Sequence, residues 1–197
     1  MAKPVHPATV HFPIAFIFLS AALDILNTLR NASLLPASVT TQLLAPNDLT
    51  RASYYLLALG LLTSIPAVVT GGGEAMKMIQ KQGMYESDNK TIKPKVKATI
   101  AHAVVNDVVI AVNTYVWYTR RANARDSLLG KMGTAGGVGT AASAYAPETW
   151  MVAAQGVALG LMLFGANIGG ALTYNYGVGF SSMNNSLASG VAARKSK

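Results

Sequence analysis

Three histidines carry the most distinctive chemistry in this 197-residue chain. His6 and His11 stand in HPATVHFP, just ahead of the first long apolar stretch, and His102 lies about one turn inside the third. If the apolar stretches are membrane helices, the first and third enter the bilayer from the same side. All three imidazoles then gather at one membrane face. Ionisable side chains are expensive at membrane depth and mark functional sites there, so the cluster predicts a bound cofactor or ion.

Three chemistries compete for these side chains. A b-type haem needs one or two imidazoles on iron, with the other ring nitrogen of each held by an acceptor. His102 is then the first ligand, His11 the preferred second and His6 the reserve. Asn106 and Tyr174 fall at the same face and complete the candidate haem site. The alternative is a Zn, Cu or Fe ion on His102 and His11, with His6 and Glu74 as further donors. In the third reading the imidazoles are structural: His6 and His11 cap a helix or meet lipid phosphates, and His102 bonds Asn175 or a backbone carbonyl across the bundle. With haem, the expected role is electron transfer or redox sensing with a redox partner. Familiar catalytic signatures such as GxSxG and HExxH are missing, so any enzyme here is expected to be a haem-dependent oxidoreductase.

The elements that must position these residues follow from hydropathy. Hydrophobic residues make up 51% of the chain and charged residues only 12%. Apolar stretches run from Phe12 to Leu29, Ala52 to Thr70, Val96 to Tyr118 and Trp150 to Tyr174. Each is near the roughly 20 residues that cross a bilayer as a helix. The expected fold is therefore all-α, a bundle of four transmembrane helices over residues 1–180 followed by a basic tail, 181–197. The first stretch lacks the basic n-region and small-residue cleavage site of a signal peptide and carries Asp24 and Asn27. Without cysteine the chain has no disulfide, iron–sulfur or covalent haem attachment. Its net charge of +8 sits in loops and tails with no nucleic-acid module around it, so anionic lipid headgroups are the expected partner.

Finer features divide among the helices. On the third, His102, Asn106, Val109, Asn113 and Trp117 share one face, which predicts the buried side. On the first, Ser20, Asp24 and Asn27 form a polar stripe toward the opposite membrane face. Helical phase puts His11 nearly opposite that stripe, so the chain near Pro13 must break phase if both face the bundle. The second helix carries Pro66 and is expected to stop at Thr70-Gly71-Gly72-Gly73, with AMKMIQKQGMY a separate surface helix. The SLLPASVTTQLLAPND loop reads as a half-buried interfacial segment. The fourth helix has Gly156/Gly160 and Gly165/Gly169 at a spacing that allows close helix approach, from which a homo-oligomer is expected. The third loop is rich in small residues, and its GTAGGVGT lacks the GK[ST] ending of a nucleotide loop. Pro66, Asp24 and Asp107 would suit an ion path, yet no internal repeat of a transporter is evident.

HPATVHFPIAF, the Thr70-Gly71 pair, the His102–Asn106 pair and GGALTYNYGVGF together resemble the DUF2231 family of four-helix membrane proteins, over roughly Val5 to Phe180. The resemblance implies the four-helix fold. Some relatives stand beside cytochrome-type modules, which implies redox chemistry. This chain departs from the family in TGGGEA, where an acidic residue usually follows the TG pair more closely.

Lys and Arg counts give orientation. Ten fall on the histidine side (Lys3, the second loop and the tail) and six on the other: Arg30, Arg51, Arg120, Arg121, Arg125 and Lys131. The positive-inside rule places both termini in the cytoplasm, or in the matrix if the membrane is mitochondrial. The organelle stays open between mitochondrial, endomembrane and plasma membranes, the closing RKSK leaning toward endomembrane retention. Tags at the two ends should show the same protease accessibility from one side of sealed vesicles. Opposite accessibility would overturn the common histidine face.

Overall fold

The computed structural model describes residues 5–132 and 143–178. It contains α1 (Val5–Thr9), α2 (His11–Asn31), α3 (Ala37–Thr40), α4 (Pro46–Gln82), α5 (Pro94–Met132) and α6 (Thr149–Tyr174), with a 3-10 turn at Ser143–Tyr145. Four spans are long and apolar enough to cross a membrane: Val5–Asn31, Pro46–Gln82, Pro94–Ser127 and Thr149–Tyr174. The protein is an all-α, four-helix integral membrane protein. The basic tail and GTAGGVGT lie outside the described residues.

The helices form two antiparallel hairpins, α2 with α4 and α5 with α6, closed into a ring by lesser contacts of α4 with α5 and of α2 with α6. α2 and α5 thus stand on one diagonal of the bundle and α4 and α6 on the other. Large apolar side chains such as Leu62, Val69, Val157 and Phe164 are exposed, as a lipid-facing surface requires. The interior is built from smaller pieces. Ile17, Val109 and Met162 pack in one cluster, and Leu57, Val116 and Met151 in another. Exposed Tyr55, Tyr115, Tyr118 and Trp150 gather at the end of the bundle away from the histidines, an aromatic anchor at that interface.

Several boundaries differ from the sequence expectation. α4 does not stop at the glycines. It runs unbroken for 37 residues through Gly71–Gly73 and absorbs AMKMIQKQ. At about 1.5 Å per residue it is about 55 Å long, well beyond a hydrocarbon core of about 30 Å. Glycine weakens a helix without forbidding it, and packing of the flanking turns overrides the propensity. α5 is 39 residues long and carries Arg120, Arg121 and Arg125 on helix, where a loop was expected. The first loop contains the short helix α3, with Leu35 and Leu43 half-buried on either side of it. Between α4 and α5 a tight turn is tied by Asp88, whose carboxylate accepts from the Lys90 and Thr91 amides and the Thr91 hydroxyl. Those bonds hold its pKa down, to about 2.

Phase along the first span is kept without a break at Pro13. A single turn residue, Val10, separates α1 from α2, and the amide of Val10 still bonds His6 O at 3.2 Å. His6 and Asp24 are 18 residues apart, about five full turns, and so share a face. That face is the buried one. His11 lies off it and is exposed.

The glycines divide by what stands opposite. A Cβ at Gly71 would lie 2.6 Å from His6 Cε1, and one at Gly169 would lie 2.9 Å from His102 Cε1. A Cβ at Gly72, Gly156, Gly160 or Gly170 meets nothing within 4 Å. Gly71→Val should therefore lower the detergent-solubilised thermal midpoint relative to Gly72→Val, and Gly169→Val relative to Gly170→Val, by about 1 kcal/mol as the imidazole bond is displaced. Equal midpoints within each pair would show that the glycines do not seat the rings.

Candidate functional site

Both ends of the bundle hold polar side chains. At the histidine end, small residues on α4 and α6 let the two rings reach backbone. His6 Nδ1 lies 3.0 Å from Ala67 O, and His102 Nδ1 lies 2.9 Å from Gly165 O. A carbonyl oxygen only accepts, so each Nδ1 carries the proton and donates it. In a neutral imidazole Nε2 is then the bare lone pair. Such an imidazole is ready to ligate, with its second ring nitrogen held by an acceptor. Thr70 Oγ1 is 3.4 Å from His6 Nδ1, Thr9 Oγ1 is 3.1 Å from Thr70 Oγ1, and the His6 amide donates to Glu74 Oε1 at 3.4 Å.

His102 and Asn106 share the inward stripe on α5, with Val109 and Asn113 fully buried below them. Asn106 Nδ2 donates to His102 O at 2.7 Å, which orients the amide within its own helix. The structure brings His6, His102 and Asn106 into the half-buried interior at one end. Exposed His11 makes no side-chain bond among the described residues, and Tyr174 is 87% exposed, an interfacial position. Asp107 is exposed on α5. Glu74 reaches the backbone of His6 but joins no metal-binding set. No group of three or more His, Asp or Glu suited to a metal ion is assembled among the described residues.

The opposite end holds what the sequence reading missed. Arg120 pairs with Asp24 at 2.8 Å, both side chains fully buried. Every N–H of the guanidinium is used. Nη1 donates to Asp24 Oδ2 and to Ser53 Oγ at 3.1 Å. Nη2 donates to Thr50 O at 3.0 Å and Tyr145 O at 2.7 Å, and Nε donates to Tyr145 O at 3.1 Å. The Tyr54 ring lies 5.7 Å from the guanidinium and packs on Tyr145 and Trp117. The end of the third loop thus folds back as a 3-10 turn to supply a carbonyl. Arg120 was counted among loop charges because the third apolar run fades at Tyr118. Its position 18 residues beyond His102 was the signal that it faces inward. Arg120 is paired inside the bundle and so drops out of the basic charge on that side, which sharpens the charge asymmetry.

A family model described as Predicted membrane protein (DUF2231) matches residues 2–182. The chain belongs to this family of integral membrane proteins. No curated protein and no solved structure matches it.

Removing one partner of a buried ion pair strands the other. Arg120→Met alone should destabilise the detergent-solubilised protein by about 3–5 kcal/mol, while Asp24→Leu combined with Arg120→Met should recover most of the loss. Thermal unfolding of the three proteins checks this. A double variant no better than the single one would place the importance of Arg120 in its carbonyl bonds rather than in the pair.

Proposed function

We propose that this membrane protein binds a b-type haem at its basic face and serves electron transfer or redox sensing, with His102 as an iron ligand. The observation that carries this reading is the His102 ring. It projects from α5 toward α6, its Nδ1 proton is committed to Gly165 O, and its Nε2 has a long 3.5 Å contact from Asn106 Nδ2 that an iron ligand bond would replace. Gly169 leaves space where a Cβ would strike the ring, and Asn106 supports the same turn. Bound haem would supply a one-electron couple. The chain's own part is to hold the imidazole tautomer and to keep the site inside the bundle.

Two imidazoles are enough for haem, whereas a protein-held Zn, Cu or Fe ion usually needs three or four donors. The donor set therefore favours haem over a bare ion. A structural role is favoured by one observation of its own: both inward-facing imidazoles already make carbonyl bonds across the bundle. Spectroscopy separates the readings. Protein purified from haem-replete cells should show a Soret band, and His102→Ala should lose it. Bound metal without colour would support the ion, and neither would leave the structural role.

The homo-oligomer belongs to the same proposal. Gly156 and Gly160 face away from the bundle, where a second copy can approach closely. Gly160→Leu should reduce the mass of the solubilised particle while the chain stays folded. An unchanged single-chain mass in wild type and variant would remove the oligomer.

A further inference from the structure

Burial and bonding repeat from one hairpin to the other at a fixed offset. Shifting α1–α2 by 96 positions lays it on α5, and His6 then falls on His102. Buried Ile17, Ser20 and Asp24 fall on Asn113, Val116 and Arg120, all buried as well. Shifting α4 by 98 positions lays it on α6. There Leu57 and Ser64 fall on Gln155 and Met162, each pair buried, and Gly71 falls on Gly169.

The bonds repeat with the register. His6 donates to Ala67 O and sits on Gly71, four residues further along α4. His102 donates to Gly165 O and sits on Gly169, four residues further along α6. Ala67 and Gly165 are themselves equivalent under the 98-position shift. Helix contacts follow the same rule, with α2–α4 answering α5–α6 and α4–α5 answering α2–α6. Both hairpins begin on the same side of the membrane, so a pseudo-two-fold axis runs along the membrane normal through the bundle centre. The repeat is nearly invisible in residue identity because one buried position holds Asp24 in one copy and Arg120 in the other.

We infer that His6 and His102 are one symmetry-related ligand pair, and that His6, rather than His11, is the second ligand of the haem. The inference rests on the haem reading for the nature of the ligand. The pairing itself rests on the repeat. A six-coordinate haem iron has two equivalent axial positions, which suits two imidazoles exchanged by a two-fold axis. Both rings have the same tautomer, the same carbonyl support and the same glycine seat. His11 falls on Asp107 under the shift, and both are exposed.

Two measurements on the full chain test the pair. In haem-loaded protein, His6→Ala should convert a low-spin spectrum to high-spin, with added imidazole restoring the low-spin form, and His11→Ala should leave the spectrum unchanged. Loss of the low-spin form in His11→Ala with its retention in His6→Ala would overturn the pair while leaving haem in place. The second measurement needs no haem. The chain has no cysteine, so the double variant His6→Cys/His102→Cys carries the only two thiols. A short bis-maleimide should close them within one chain, and should fail with His11→Cys/His102→Cys. Cross-linking of the His11 pair alone would overturn the assignment, and its success with the His6 pair in a colourless protein would uphold the pair while the haem reading fell.

Discussion

The Arg120–Asp24 ion pair constrains this bundle more than any other interaction. It crosses the diagonal between α2 and α5, two helices that otherwise touch little. Placing a guanidinium and a carboxylate in a membrane interior is tolerable only when both are paired and further bonded. Arg120 meets that condition by recruiting Ser53 and Thr50 from α4 and Tyr145 from the third loop. One side chain thereby fixes the rotation of three helices and the return of a loop. The carboxylate is less completely served, since Asp24 Oδ1 and both amide atoms of neighbouring Gln155 have no partner among the described residues. A buried water bridging these atoms is the ordinary remedy in a polar interior.

Fixing rotation at one end fixes it at the other. Because 18 residues make about five full turns, the helix face that presents Asp24 also presents His6, and the face that presents Arg120 also presents His102. The ion pair therefore aims both imidazoles inward at the opposite membrane face. What the rings meet there is set by small residues: Ala67 and Gly71 on α4, Gly165 and Gly169 on α6. A side chain at either glycine would push the ring away from the carbonyl that holds its tautomer. The two ends of the bundle are thus one construction, an ion pair at one end and two carbonyl-bonded imidazoles at the other.

Much of this was legible in the residues. Four apolar runs gave four membrane helices, and the His102–Asn106–Asn113 stripe gave the inward face of α5. The Ser20–Asp24–Asn27 stripe gave the inward face of α2 at the far end. The helix ends were less legible. Hydropathy records where lipid ends, while α4 and α5 continue into water on their own hydrogen bonds and through three consecutive glycines. The position of His11 was less legible for a related reason, since it lies exposed, off the buried face. A proline at position 13 suggested a phase break, and the chain instead turns at Val10 and keeps its register.

By itself the sequence determined the membrane class, the helix count and the gathering of histidines at one face, because hydrophobicity and helical period act locally and need no knowledge of neighbours. Tertiary structure decided which polar groups meet. Asp24 and Arg120 are 96 residues apart, and nothing in either helix alone says that one neutralises the other. It also exposed the two-fold repeat, which lives in burial and bonding rather than in residue identity. A bundle interior asks only that facing side chains fit and pair, so two copies can diverge in nearly every residue while the geometry that relates them is retained.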